Sequence, residues 1–209
     1  MKKIIIADDH SLVREGIKRV LTESFPFAQI DDVSDGVELV KKVTKEHYDL
    51  VISDVTMPNM SGIEALKIIK EQSPSTLVLI MSMHPVEQYA VRAIKNGASG
   101  YLTKESAITE LVSAVDKILS GKKYITPELA DLLANSIRDD TENASYQSLS
   151  DREFEVFKLI AEGKSTSEIS ELLFLNKNTI STYKSRIFEK LNLHSNAEII
   201  KYAIANNLI

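Results

Sequence analysis

Asp54 lies inside the run LVISDVTMPNMSG (residues 50–62), and a second pair of carboxylates, Asp8-Asp9, closes another apolar run, IIIADD. Each stands at the C-terminal end of a short Ile/Val/Leu segment, the pattern of a strand buried on both faces of a parallel sheet. In such sheets the functional crevice lies beyond the strand C-termini. Three carboxylates gathered there repel one another, and all three stay ionised only beside a cation. A hard divalent ion such as Mg2+, bound through oxygens, is the natural partner. The chemistry this predicts is phosphoryl transfer. Ser82, at the end of the strand-like part of LIMSMH, and Lys104, after GYL, fit the same chemistry. A carboxylate attacking phosphorus meets repulsion from the phosphoryl oxygens, which a cation and an ammonium relieve, and a hydroxyl can donate to one of those oxygens.

A single aspartate at a strand end is ordinarily a helix cap or a turn residue. The weight here comes from Asp8-Asp9, Asp54, Ser82 and Lys104 falling in order at four different strand ends. His10, next to the pair, reads as a helix-entry residue rather than a ligand.

The elements that position these residues are visible as periodicities. Apolar runs at 4–7, 29–33, 50–53, 77–81 and 100–102 alternate with amphipathic stretches at 13–21, 36–45, 62–72, 86–96 and 108–119. Strand then helix, five times over, predicts an α/β doubly wound five-stranded parallel sheet with right-handed crossovers. Pro127 opens a further short helix over ELADLLANSI, since proline is favoured in a first helical turn. Apolar periodicity then lapses through RDDTENASYQS, which reads as an exposed linker. Beyond it the pattern is helical alone, near 151–161, 166–174, 177–191 and 196–206. The signatures SDRE (150–153) and STSE (165–168) are capping boxes at two of the starts. The second and third of these helices are separated by only about three residues, which fits a helix-turn-helix. The expected organisation is thus a sheet domain over 1–121, a linker with a short helix over 122–147, and an all-α four-helix domain over 148–209.

Composition is ordinary for a globular protein, with 44% hydrophobic and 26% charged residues. The absence of cysteine excludes disulfides, thiolate zinc sites and a cysteine nucleophile. The longest apolar stretches fall far short of a membrane span, and Asp8-Asp9 cut the N-terminal apolar run too early for a signal peptide. A cytoplasmic location with no membrane partner is expected. The net charge of −5 is uneven: residues 149–209 hold eight basic and eight acidic residues, and the rest of the chain carries the excess. Within that neutral domain the helix from Lys177 to Leu191 has Lys177, Lys184, Arg186 and Lys190 against Glu189. A basic stripe beside short polar side chains suits a major groove. The plainer reading of any single lysine is a solvated surface charge. The string GKST at 163–166 lacks the upstream glycine of a phosphate-binding loop and is read as a turn between helices.

The acidic set, taken in order, resembles the receiver domain of two-component systems. The segment LSDREFEVFKLIAEGKSTSEISELLFLNKNTISTYKSRIFEKLNL resembles the LuxR-type helix-turn-helix of NarL/FixJ response regulators, through Leu149, Arg152, Glu153, Ile160, Gly163, Glu168, Ile169, Leu172, Thr179, Ile180, Ile187, Lys190 and Leu191. The resemblance implies that Asp54 accepts a phosphoryl group from a histidine of a cognate sensor kinase. It implies Mg2+ held by Asp9, by Asp8 directly or through water, by Asp54, and by the backbone carbonyl of Thr56. Lys104 and Ser82 would receive the phosphoryl oxygens, and Tyr101 would be the switch aromatic, turning inward as Ser82 is drawn to the phosphate. Thr56 and His84 hold positions that, in the family this chain resembles, tune the lifetime of the aspartyl phosphate. Glu105 follows Lys104 where many receivers have proline, which leaves the geometry of that peptide open.

In the helical domain, Ser181, Thr182 and Ser185 are expected to approach base edges of promoter DNA. Lys177, Tyr183, Lys184, Arg186 and Lys190 are expected to meet phosphates, and Asn178 and Thr179 complete the DNA-facing set. Tyr183 stands where histidine is frequent, and Asn176 replaces a common serine but still suits a helix cap. A homodimer on phosphorylation or DNA binding is expected, with Ile199, Ile200, Ala203 and Ile204 offering an apolar face. Two rivals remain: a Mg2+-dependent phosphatase, for which no second general acid is evident near Asp54, and a scaffold that works without phosphorylation.

Overall fold

The structure, a computed structural model, describes residues 1–139, 146–206, 208 and 209. Strands β1 (Lys3–Ala7), β2 (Gln29–Val33), β3 (Leu50–Asp54), β4 (Leu77–Ser82) and β5 (Gly100–Thr103) alternate with helices α1 (Ser11–Ser24), α2 (Gly36–Lys45), α3 (Gly62–Gln72), α4 (Val86–Lys95) and α5 (Lys104–Leu119). The strands pair in the order β2-β1-β3-β4-β5, all parallel, with Ile4 opposite both Ile30 and Leu50, and Leu50 opposite Leu77. Chain direction therefore reverses its drift across the sheet between β1 and β3. That switch point opens a crevice at the strand C-termini, where ligands bind in open α/β sheets.

The apolar runs of β1, β3 and β4 form strands because both faces are covered. Every residue of β3 is buried. Ile4, Ile6, Leu50, Ile52, Leu79 and Met81 pack with Ile17 and Leu21 of α1 and with Leu111, Ala114, Val115 and Ile118 of α5 in one apolar core. At roughly 25 cal/mol per Å2 of apolar area removed from water, such burial is the main term holding the sheet.

α5 begins at Lys104, four residues before the apolar pattern predicts, and Lys104 is its first residue rather than the end of β5. The reason is a cap: the Thr103 hydroxyl accepts from Ser106 N–H at 3.1 Å. The Lys104–Glu105 peptide is trans.

Two compact units divide between Asp131 and Leu132, inside α6 (Pro127–Asp139). Residues 140–145 of the expected linker lie outside the described residues. The second unit contains a 3-10 turn at Tyr146–Ser148 and the helices α7 (Asp151–Ala161), α8 (Thr166–Leu172), α9 (Lys177–Leu191) and α10 (Asn196–Ala205). Complete capping boxes start α7 (Ser150 with Glu153) and α8 (Ser165 with Glu168). Phe154, Val156, Phe157, Ile169, Ile180, Ile187, Ile199 and Ala203 are buried. The Tyr202 hydroxyl of α10 accepts from Tyr146 N–H at 3.0 Å, tying the first residue of this stretch to the last helix. Among the described residues, no helix is long and apolar enough to cross a membrane.

Candidate functional site

The crevice gathers the predicted carboxylates. Asp54, the last residue of β3, is 4% exposed, and Asp8, just beyond β1, is 2% exposed. Lys104 Nζ lies 2.7 Å from Asp8 Oδ2 and 2.7 Å from Asp54 Oδ2, with 6% of its own side chain exposed. Entry as the first residue of α5 rather than as a strand end still aims the ammonium into the crevice. Burial pushes the Asp54 carboxyl above its ordinary range; Lys104 opposes this, Asp8 adds to it, and an N–H from Thr56 donates to the carboxylate and opposes it. Burial pulls Lys104 down, but its bonds to Asp54 and Asp8 outweigh that and raise it.

One carboxylate oxygen each from Asp8, Asp9 and Asp54, with one ring nitrogen of His10, lie within 4.8 Å of one another. Three carboxylates are a hard oxygen donor set and fit Mg2+. Besides Lys104, Asp8 is held by its Oδ1 accepting from His10 N–H at 2.8 Å and its carbonyl accepting from Arg14 Nη1 at 2.6 Å. Arg14 is in turn paired with Asp32 at 3.0 Å. His10 is the residue before α1 and gives no side-chain cap; instead its Nδ1 stands 2.8 Å from Asp9 Oδ1. The sequence offered no sign of that contact.

The loop after β3 is shaped around the site. Gly62 N–H donates to Val55 O at 2.9 Å, and a Cβ on Gly62 would stand 1.9 Å from the Asp54 carbonyl oxygen. Only glycine allows that approach. Asn59 takes a positive φ of 62° in the same loop, and its amide donates to the Asp35 carboxylate at the start of α2.

Ser82 is fully buried, with its hydroxyl oxygen accepting from His84 N–H at 3.0 Å. Tyr101 is 2% exposed and its hydroxyl donates to His84 O at 3.1 Å. Burial pushes its phenol above the usual range. The ring is therefore already inward, where the sequence reading had it turn inward only as Ser82 moved. Thr56 Oγ1 and His84 Nε2 are 3.5 Å apart.

In the second unit, α9 buries Ile180, Ile187 and Leu191 and exposes a stripe of Lys177, Asn178, Ser181, Thr182, Ser185, Arg186, Glu189 and Lys190. Thr179, Tyr183 and Lys184 are half-buried beside it. Asn176 caps the helix, its side chain accepting from Asn178 N–H. Ser181, Thr182 and Ser185 donate to carbonyls one turn back, at 3.0, 3.0 and 3.1 Å, which leaves their oxygens to accept. Lys184 Nζ is 5.5 Å from the Phe188 ring centroid. Lys190 reaches Glu153 at 2.7 Å and Ser148 O at 3.2 Å, an internal role the sequence did not reveal. On α10, Ile199 and Ala203 are buried, while Ile204 is 60% exposed.

Residues 4–116 match the family described as response regulator receiver domain, and residues 147–203 match bacterial regulatory proteins, luxR family. Oxygen regulatory protein NreC of Staphylococcus carnosus is 37% identical over 99% of this chain and 99% of its own. Response regulator UvrY of Escherichia coli strain K12 is 33% identical over 100% of this chain and 96% of its own. Among solved structures, RcsB of Salmonella enterica serovar Typhimurium bound to promoter rprA in the presence of phosphomimetic BeF3− has a TM-score of 0.66 at 27% identity, covering 96% of this chain and 97% of RcsB. A two-component response regulator RcsB–DNA complex has a TM-score of 0.59 at 27% identity, covering 98% of each chain.

Proposed function

The chain belongs to the two-component response regulators of the NarL/FixJ type, a receiver domain joined to a LuxR-type DNA-binding domain, and from that premise we propose how its residues divide the work. It is a transcription regulator controlled by phosphorylation and not an enzyme. Asp54 is the phosphoacceptor, taking its phosphoryl group from the histidine of a cognate sensor kinase. The observation that carries this is the Lys104 ammonium, 2.7 Å from both Asp54 and Asp8 at the switch point of the sheet. It opposes the rise that burial imposes on the Asp54 carboxyl, and stands ready to receive phosphoryl oxygens. Asp8, Asp9, Asp54 and the Thr56 carbonyl would hold Mg2+, which would supply positive charge to neutralise those oxygens. Ser82 turns its hydroxyl from His84 toward the phosphoryl group, and Tyr101 reads the change.

The exposed face of α9 enters the major groove of promoter DNA. Lys177 and Arg186 meet phosphates, with Tyr183 and Lys184 at the margin, and Lys190 reaches one only in competition with Glu153. Asn178, Thr179, Ser181, Thr182 and Ser185 face bases or backbone. Residues 122–147 join the two domains, and the regulator works as a homodimer, with the exposed Ile204 of α10 at the contact between DNA-binding domains. The compartment is the cytoplasm.

The test is labelling with acetyl phosphate and Mg2+, read on a phosphate-affinity gel and coupled to light scattering. Wild type should shift and Asp54→Ala should not. A shift that survives Asp54→Ala would remove the assignment. A shift with unchanged mass would keep Asp54 and remove phosphorylation-driven dimerisation.

A further inference from the structure

After α5 the chain turns at Gly121, whose φ is 84°, and runs back along the receiver. Tyr124 forms a parallel bridge with Gly100 at β5, the last strand of the sheet. Its N–H donates to Ser99 O at 2.8 Å. Its hydroxyl donates to Glu110 of α5 at 2.6 Å, and the Lys117 ammonium stands 5.4 Å from its ring centroid. Thr126 then caps the next helix, its hydroxyl accepting from Leu129 N–H at 3.3 Å, and Leu129 is 1% exposed. Residues 122–127 are therefore a strap pinned across an otherwise open sheet edge, which such edges commonly require. Gly100 makes room for it, since a Cβ there would lie 2.9 Å from Tyr124 Cβ and 3.0 Å from its carbonyl oxygen.

Gly100 is followed directly by Tyr101. A groove at the strap is lined by Val86, Tyr101, Tyr124, Thr126 and Pro127. With the Tyr101 hydroxyl on His84 O, the ring stays buried and the groove stays open. A ring leaving that position would swing into the groove and press on Tyr124 and Pro127.

We propose that the strap is the output lever of the receiver, seated while Tyr101 is inward and lifted off the β5 edge when the ring turns out into the groove. The strap runs directly into α6, so the state of the Asp54 site reaches the connection to the DNA-binding domain through this one edge. This rests on the reading of Asp54 as phosphoacceptor and Tyr101 as its switch. It adds the part that responds: the Tyr124–Gly100 bridge and the Tyr124 N–H bond to Ser99.

Hydrogen exchange by mass spectrometry on the full chain, with and without BeF3− and Mg2+, tests it. In wild type, BeF3− should slow exchange of peptides over 122–129 by about tenfold, as expected when an edge contact is held closed longer. In Tyr101→Ala there is no ring to wedge the groove, so the strap should be protected without BeF3− and indifferent to it. Unchanged strap exchange in wild type, while peptides over Ser82–His84 respond, would overturn the proposal. So would a Tyr101→Ala strap that behaves as in wild type. If peptides around Asp54 and Ser82 fail to respond, the phosphoacceptor reading falls instead. The BeF3−-free comparison of Tyr101→Ala with wild type then still decides, equal strap exchange counting against the lever. Gly100→Ala should speed strap exchange about tenfold or more with β1 and β3 peptides unchanged; if those peptides also lose protection, Tyr124→Ala, which leaves the sheet untouched, takes its place. A strap indifferent to both substitutions would show that the bridge does not hold it.

Discussion

The Lys190 ammonium in α9 lies 2.7 Å from a Glu153 carboxylate in α7 whose side chain is only 3% exposed. The same Glu153 oxygen accepts from Ser150 N–H at 2.7 Å. One carboxylate thus caps one helix and holds another, and a lysine on the helix proposed to face DNA is committed to its own domain.

Replacing Lys190 with methionine should therefore destabilise the C-terminal domain by about 1–2 kcal/mol, discounted for the exposed side of the lysine. Burial pushes the Glu153 carboxyl up, but Lys190 and the Ser150 cap outweigh it and hold it below its ordinary 4.5. A carboxylate depressed on folding stabilises fully above its ordinary value and loses that contribution as the pH falls through the folded value. Urea unfolding followed by circular dichroism should show the wild-type advantage at pH 7 and lose it progressively as the pH falls below 4.5. An advantage that persists in acid would mean the pair is not its source.

Lys158 of α7 is 5% exposed, and burial pulls its ammonium down to about 8 with Glu162 opposing. Below pH 8 the lysine is charged in both folded and unfolded chains and the burial penalty is present in full. As the pH rises from 8 through 10.5, its ordinary value, the penalty disappears. Lys158→Met should stabilise the domain by roughly 2 kcal/mol at pH 7, with the gain shrinking by pH 10. A gain equal at both pH values would point to packing alone.

Lys104→Met leaves Asp8 and Asp54 buried without their shared cation. Without Mg2+ this should cost roughly 3 kcal/mol of stability, part of it recovered on adding Mg2+, which binds the folded chain. Thermal melts with and without Mg2+ read this out, and labelling by acetyl phosphate should slow by about a hundredfold. A variant whose melting temperature ignores Mg2+ would argue against the carboxylates as the ion site.

Arg186 and Lys190 should separate in a DNA-binding titration against salt. Arg186→Ala should weaken binding to all sequences alike and lower the log–log salt slope by about 1. Lys190→Met should leave the slope nearly unchanged once its stability loss is allowed for. Equal slopes for Arg186→Ala and wild type would take Arg186 off the phosphate backbone.

The central strands and the order of the acidic residues were legible because strands buried on both faces have no polar alternation: the runs of β1, β3 and β4 lead straight to Asp8, Asp54 and Ser82. The start of α5 was not, because Thr103 caps a polar first turn, Lys104-Glu105-Ser106, that carries no apolar periodicity. Partners distant in sequence were hidden as well: Lys190 and Glu153 are 37 residues apart, and a basic stripe does not announce which lysine is already engaged. The rotamer of Tyr101 depends on His84 O and on burial, neither of which composition records.

The Tyr146–Tyr202 bond and the Lys190–Glu153–Ser150 latch both close between residues of the same helical domain. Tyr146 is held to α10 by the Tyr202 hydroxyl, and α9 is braced from within by Glu153. Grafted behind a different sensory module, α9 would bring this bracing with it.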